Sequence, residues 1–393
     1  MLQARTNLLR ERKPHEHARV GFVELFFDLV FVFAITRLSH TLLEHYSLEG
    51  AIETFILFMA VWWAWIDSSW VTNWLDPQKR PVRLMLLVLM FGGLVLSASI
   101  PDAFGERGIY FALAYVSMQL GRSLFTLWAL KDHSPTNFRN FQRITLWFVL
   151  SGLFWIAGAF AEGEFRLALW AVAVFIETIA PSLGFFVPGI GRSTTAEWDV
   201  EGSHLAERCG LFIIIALGES ILVTGATFGS LEWTGMTKAA FLVAFAGSVA
   251  MWWIYFDSGS ERGSERIAHS ADPGRLARLA YTYLHLPIVA GIIVSAVGDE
   301  FVLTHPADPA HDGTALAILG GPALFLVGTA LFKGSIAGRW PLSHLAGIVA
   351  LGLLILFAGE MSALTLAMLQ TLVLIFVATC ENLAARRSAG VLR

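Results

Sequence analysis

Apolar runs of about 18 residues or more, the length that crosses a bilayer core, recur from one end of this chain to the other. Twelve can be read, at about 20–42, 52–74, 82–100, 108–130, 143–161, 165–187, 209–228, 237–257, 278–297, 314–332, 341–358 and 362–382. Nothing between them reads as a soluble strand unit, and no polar segment is long enough to bury a core of its own. The pattern predicts an all-α fold: a polytopic membrane protein of about twelve transmembrane helices.

Composition supports that solvent. The chain is 56% hydrophobic and 15% charged, with a mean hydropathy of +0.63, outside ordinary soluble usage. Charge segregation then sets a topology. With the amino terminus inside, 22 of the 27 basic residues fall on the cytoplasmic side. The opposite loops hold only Arg107, Arg166 and Lys238, and acids such as Glu106, Asp299, Glu300 and Asp308 collect there. This is the positive-inside alternation, and a missed helix would invert it. Both termini are therefore expected in the cytoplasm, in the inner (plasma) membrane. The polar start carries no short apolar core followed by a small-residue cleavage site, so an uncleaved anchor is expected.

The chain also repeats itself. Trp62-Trp63-Ala64-Trp65-Ile66-Asp67-Ser68 returns as Trp252-Trp253-Ile254-Tyr255-Phe256-Asp257-Ser258. Each copy follows another acidic apolar segment: Asp28 lies 39 residues before Asp67, and Glu219 lies 38 before Asp257. The expected organisation is a cytoplasmic tail 1–19, a six-helix repeat 20–188, a cytoplasmic linker 189–204, a second six-helix repeat 205–385 and a tail 386–393. Six crossings per half make the two repeats parallel, related by an axis along the membrane normal.

A carboxylate in hydrocarbon is costly and marks a functional site by default. Glu24, Asp28 and Ser39 share one helix stripe at about 100° per residue, while Arg37 points away. Asp28 and Glu219 are the leading candidates for an ion site. Asp67 and Asp257, nearer span ends, compete with a reading as interfacial acids in an aromatic belt. Glu177 is central in the sixth span and Arg122 in the fourth, and an ion pair of Arg122 with Asp28 or Glu177 would be structural. Arg208 precedes Glu219 by eleven residues on nearly the same face. His285, close to Pro287, reads as a hydrogen-bonded core histidine or a gating group. Five deep acids (Asp28, Asp67, Glu177, Glu219, Asp257) against two deep arginines (Arg37, Arg122) leave an excess of negative charge. That excess points to protons or a small cation rather than an anion.

Other chemistry is absent. Cys209 and Cys380 are the only cysteines, with no disulfide framework and no metal spacing. His305, Asp308, His311 and Asp312 fit a solvated loop better than a metal site. No nucleotide loop, catalytic elbow or nucleic-acid signature occurs, so no cofactor and no nucleic-acid partner are expected beyond the lipid bilayer. The leading reading is a proton- or cation-handling transporter or channel. The alternatives are a membrane enzyme acting on a lipid or polyprenyl substrate, and a non-catalytic sensor or assembly factor.

Residues 20–40 (VGFVELFFDLVFVFAITRLSH), the segment Glu207-Arg208-Cys209-Gly210-Leu211-Phe212 and the following Ala216-Leu217-Gly218-Glu219-Ser220-Ile221 carry a resemblance. Together with residues 62–67 they resemble the bacterial low-temperature requirement protein A (LtrA) family from about residue 19 to 379. The resemblance implies a bacterial membrane protein and no particular molecular activity.

The topology is testable by single-cysteine labelling on a cysteine-free background. Cysteines at positions 106 and 308 should label from outside; external labelling at position 12 would overturn the orientation.

Overall fold

The computed structural model describes residues 7–11, 20–195, 198, 200–257 and 272–390. Arg5, Arg12, Lys13, Arg19, Arg262, Arg266, Arg393 and the motif residue Ser258 lie outside the described residues. The described residues form twelve principal helices and no strand, only isolated bridges such as Leu9 with Leu75. They are α1 (Phe22–Glu44), α2 (Leu48–Trp74), α3 (Arg80–Ser99), α4 (Gly108–Leu130), α5 (Pro135–Ala159) and α6 (Gly163–Ile179). There follow α7 (Gly202–Ser230), α8 (Gly235–Phe256), α9 (His285–Thr304, entered through Pro273–Ala277 and a π-helical turn), α10 (Asp312–Ala337), α11 (Leu342–Leu354) and α12 (Ala363–Gly390).

Among the described residues, nine segments are long and apolar enough to cross a membrane: α2, α3, α5 and α7 to α12. The other three, α1, α4 and α6, are those that carry Glu24, Asp28, Arg37, Arg122, Arg166 and Glu177. The chain is a polytopic helical membrane protein. Its surface agrees. On α3, Leu84, Val88 and Phe91 stand 63%, 71% and 69% exposed, while Val82, Leu86, Leu89 and Leu96 on the other side are buried. A helix apolar on both faces, with one face open, suits a lipid solvent.

Local rules explain many helix ends. Ser47 caps α2 by accepting from the Gly50 amide at 3.1 Å, and Thr234 caps α8 through the Thr237 amide at 3.1 Å. Pro81 and Pro135 sit in the first turns of α3 and α5, where no amide donor is needed. Gly338, at φ 68°, ends α10 in the left-handed conformation that a side chain would resist.

The fold divides into two compact units: Met1–Leu205 with Ala271–Arg275, and Ala206–Ser270 with Leu276–Arg393. In the first, an aromatic layer of Phe111, Tyr115, Trp155 and Trp170 joins α4, α5 and α6. Gly158 permits it, because a Cβ there would lie 2.4 Å from the Trp170 ring. In the second unit α9 and α10 meet backbone to backbone. A Cβ at Gly291 would lie 2.5 Å from the Phe325 nitrogen, and one at Gly321 would lie 2.5 Å from the Ser295 nitrogen. Small residues at such crossings let membrane helices approach where no hydrophobic effect drives them together.

Three local expectations are corrected. Arg166 is not a loop charge: it is buried in α6, and its guanidinium donates to the carbonyls of Gly158, Ala161, Ala103 and Gly105. It satisfies carbonyls left open where α5 ends. Asp299 and Glu300 lie within α9 rather than in an outer loop, and Lys333 is buried within α10. For Asp299, Glu300 and Lys333 the helix runs at least a turn past the apolar run that marked it.

Replacing Gly321 by Val should lower stability by roughly 1–3 kcal/mol through overpacking. Gly352→Val, where nothing lies within 4 Å of the added carbon, is the control. Thermal unfolding in detergent measures both; equal melting temperatures would contradict the close α9–α10 contact.

Candidate functional site

An arginine survives inside an apolar helix only if its donors are met there. On α4, Tyr115, Gln119 and Arg122 stand at i, i+4 and i+7, one stripe of the helix, and all three are buried. Arg122, 1% exposed, faces Asp67 of α2 with Nη2 3.3 Å from Oδ2. Its Nη1 donates to the Ala64 carbonyl and to Ser68 Oγ, each at 3.2 Å, and Nη2 also donates to Gln119 Oε1. Gln119 then bridges the pair to Tyr115. Nε2 donates to Asp67 Oδ2 at 3.1 Å and to Tyr115 Oη at 3.0 Å. Tyr115 passes its own hydroxyl proton toward Glu177 Oε2 on α6 at 2.5 Å. Trp155 Nε1 on α5 donates to the other carboxylate oxygen at 3.2 Å.

A continuous set of hydrogen bonds therefore joins two carboxylates, Asp67 and Glu177, across α2, α4 and α6. Its two ends differ in charge. Asp67 and Arg122 make a formally neutral pair. Glu177 is buried and, among the described residues, meets only neutral donors. Gln119 also limits what can travel between the ends. Both of its amide hydrogens are given away and an amide does not exchange them readily, so proton exchange stays local to Glu177 and Tyr115. The expectation that Arg122 pairs with Asp28 or Glu177 is corrected: its carboxylate partner is Asp67. One turn of helix decides this, because α4 presents Arg122 level with the Ala64–Ser68 turn of α2.

The stripe of α1 does form, with Glu24, Asp28 and Ser39 all buried, but its members serve different neighbours. Asp28 accepts from Trp65 Nε1 at 2.8 Å. Ser39 donates back to the Thr36 carbonyl. Glu24 belongs to a separate cluster at the start of α1. Its carboxylate accepts from the Gly21 amide at 2.8 Å, lies 3.5 Å from Arg10 and meets His204 Nε2 at 2.9 Å. Asn73 sets the histidine tautomer. Its amide donates to the Glu201 carbonyl and its oxygen accepts from the Glu201 amide, so Nδ2 is the atom facing His204 Nδ1. That ring nitrogen accepts, leaving Nε2–H for Glu24. Glu24 thus fastens the amino-terminal ends of α1 and α7.

In the second unit the matching positions have other surroundings. Tyr255 stands where the first motif has Trp65, yet its hydroxyl meets His285 Nε2 at 2.7 Å. The other nitrogen of His285 bonds the Ala280 carbonyl at 2.8 Å, inside the π-helical turn before Pro287. Asp257 is exposed and accepts from the Asn382 amide. Arg208 is buried. Glu219 is 6% exposed and has no hydrogen-bond or ionic partner among the described residues. Asp28 and Glu219 fall in different compact units. One feature does repeat: the carbonyl of Ile254, the counterpart of Ala64, accepts from a basic side chain, here Lys333 Nζ at 2.8 Å. Lys333 also pairs with Glu381 at 3.0 Å.

Tyr115, Gln119 and Glu381 escaped the sequence reading, which took Asp299 and Lys333 for loop charges. The spacing of Tyr115 and Gln119 ahead of Arg122 was the available signal, since three polar groups on one stripe of a membrane helix must face protein. Among the described residues, no group of three or more His, Cys, Asp or Glu side chains is arranged to hold a metal.

Comparison with known proteins adds a family. The model of the family described as "Bacterial low temperature requirement A protein (LtrA)" matches residues 19–379. An uncharacterised protein of Rhizobium meliloti (strain 1021) is 42% identical over 394 residues, covering 99% of this chain and 96% of the relative. No solved structure matches the chain.

Tyr115→Phe removes the hydroxyl that both donates to Glu177 and accepts from Gln119. It should cost roughly 1–3 kcal/mol, the penalty for stranding buried polar groups. Tyr110→Phe, on the exposed side of α4, should be neutral. Equal unfolding temperatures for the two variants would show that the Tyr115 hydroxyl is not part of a buried network.

Proposed function

The chain belongs to the bacterial low temperature requirement A (LtrA) family, and we propose that it moves protons or a small cation across the inner membrane through buried carboxylates. The observation that carries this reading is Glu177, a buried carboxylate in an apolar bundle whose described partners are the neutral Tyr115 and Trp155. A carboxylate so placed holds a proton or accompanies a cation, because hydrocarbon does not solvate its charge. Glu219 supports the same reading in the second unit, where it is buried and meets no cationic side chain among the described residues. Asp67, already neutralised by Arg122, acts as the fixed end that orients Gln119 and Tyr115 toward Glu177. Asp28, held by Trp65 on the buried face of α1, is a further candidate on the path, with Ser39 beyond it. The reading includes twelve crossings in two parallel six-helix repeats, both termini cytoplasmic.

The test is ion flux into proteoliposomes holding the purified protein, with a pH-sensitive dye inside and imposed proton, sodium or potassium gradients. The intact protein should dissipate one of these gradients. Glu177→Gln keeps the shape of the side chain and should reduce the flux on the order of tenfold or more while the protein stays folded. Glu219→Gln should do likewise. Absence of flux in the intact protein, or undiminished flux in both folded variants, would contradict the proposal.

A further inference from the structure

Asp299 lies one turn before the end of α9, and it faces neither solvent alone nor a basic partner. It lines a small cavity inside the second unit, together with Ser248 of α8, Ser295 of α9, Ile318 and Pro322 of α10 and Gln370 of α12. The cavity has about 10 Å³ of room for the centre of a water-sized body, which is space for one such body.

The groups around it are oxygen-rich and under-used. Among the described residues Asp299 has no hydrogen-bond donor and no ion-pair partner. Ser248 is 3% exposed and its hydroxyl likewise has no partner there. Ser295 gives its hydroxyl proton to the Gly291 carbonyl at 2.8 Å, so its lone pairs remain available. The side-chain oxygen of Gln370 receives only a 3.3 Å contact from Thr371. A fifth oxygen comes from the backbone. Pro322 sits inside α10 and has no N–H, so the Ile318 carbonyl four residues earlier loses its helical donor. Both residues border the cavity. A carbonyl freed by a proline within a helix is a group that membrane proteins use to coordinate a cation.

We propose that this cavity binds one dehydrated alkali cation of sodium's size, coordinated by Asp299, the hydroxyls of Ser248 and Ser295, the Gln370 side-chain oxygen and the Ile318 carbonyl. One carboxylate among neutral oxygens balances a single positive charge. A divalent ion would want more carboxylates or several retained waters, for which the space is too small. The site belongs to the second unit and Glu177 to the first, and its readout is equilibrium binding. It therefore stands or falls independently of ion movement through the protein.

The experiment follows the melting temperature of the purified full-length protein in detergent as sodium chloride replaces choline chloride at constant ionic strength. Binding to the folded state raises stability with ligand concentration, so sodium should raise the melting temperature in a saturable way and choline should not. Asp299→Asn should abolish the response. Ser248→Ala, a milder change that keeps the carboxylate, should move the sodium midpoint upward by about tenfold, the size of one lost contact to a charged partner. Should Asp299→Asn fail to fold, Ser248→Ala decides alone. An equal response to choline, no response in the intact protein, or a sodium midpoint unchanged in Ser248→Ala would each overturn the site.

Discussion

A charge taken out of water inside an apolar bundle must be met where it lies, and the first unit is arranged around that requirement. Arg122 is its hardest case. Removing its carboxylate or its carbonyl partners would strand a buried guanidinium over the Phe148 ring. Asp67, Ala64 and Ser68 on α2 supply the answer, and in doing so fix how far α4 is rotated about its own axis. The same rotation sets Gln119 against Asp67 and Tyr115 and places the Tyr115 hydroxyl opposite Glu177 on α6.

The second unit solves its problem by other means. Its closest helix pair, α9 and α10, is joined through Gly291, Gly298, Gly321 and Gly328, where backbones touch and no side chain could intervene. One of its buried cations, Lys333, pairs with Glu381 and reaches the Ile254 carbonyl. The Trp-Trp sequence is common to both units, yet Trp62, Trp63 and Trp65 are buried whereas Trp252 and Trp253 are 45% and 40% exposed. The same residues can thus line a protein interior in one place and stand exposed in another.

That contrast explains what was legible in the sequence. Helices of a membrane protein announce themselves by length and hydropathy, so all twelve could be located, although an end of α5, α6, α7 and α9 lies about two turns from its apolar run. The α1 stripe of Glu24, Asp28 and Ser39 was legible because helical spacing alone puts those residues on one face. Partners were not. Whether Arg122 reaches Asp28, Glu177 or Asp67 depends on the rotation and depth of three helices, which no single stretch encodes. Lys333 and Asp299 were misplaced for a related reason: counting charges outside apolar runs treats every flanking charge as solvated, although helices continue past their apolar cores. Glu24 shows the opposite case, an acid on the buried stripe whose bonds to His204 and the Gly21 amide give it a fastening role.

The central claim is that Asp67 and Arg122 depend on each other and orient the groups that lead to Glu177. A double-mutant cycle on unfolding free energy tests it most directly, using Asp67→Asn, Arg122→Gln and the pair together. Either single change leaves one buried charge unmatched and should cost roughly 3 kcal/mol, toward the lower end for such pairs because Asp67 keeps some exposure. The double variant removes both charges, so it should be far more stable than the sum of the two losses implies, with a coupling of about 1–3 kcal/mol. Strictly additive losses, or single variants as stable as the parent, would contradict the account.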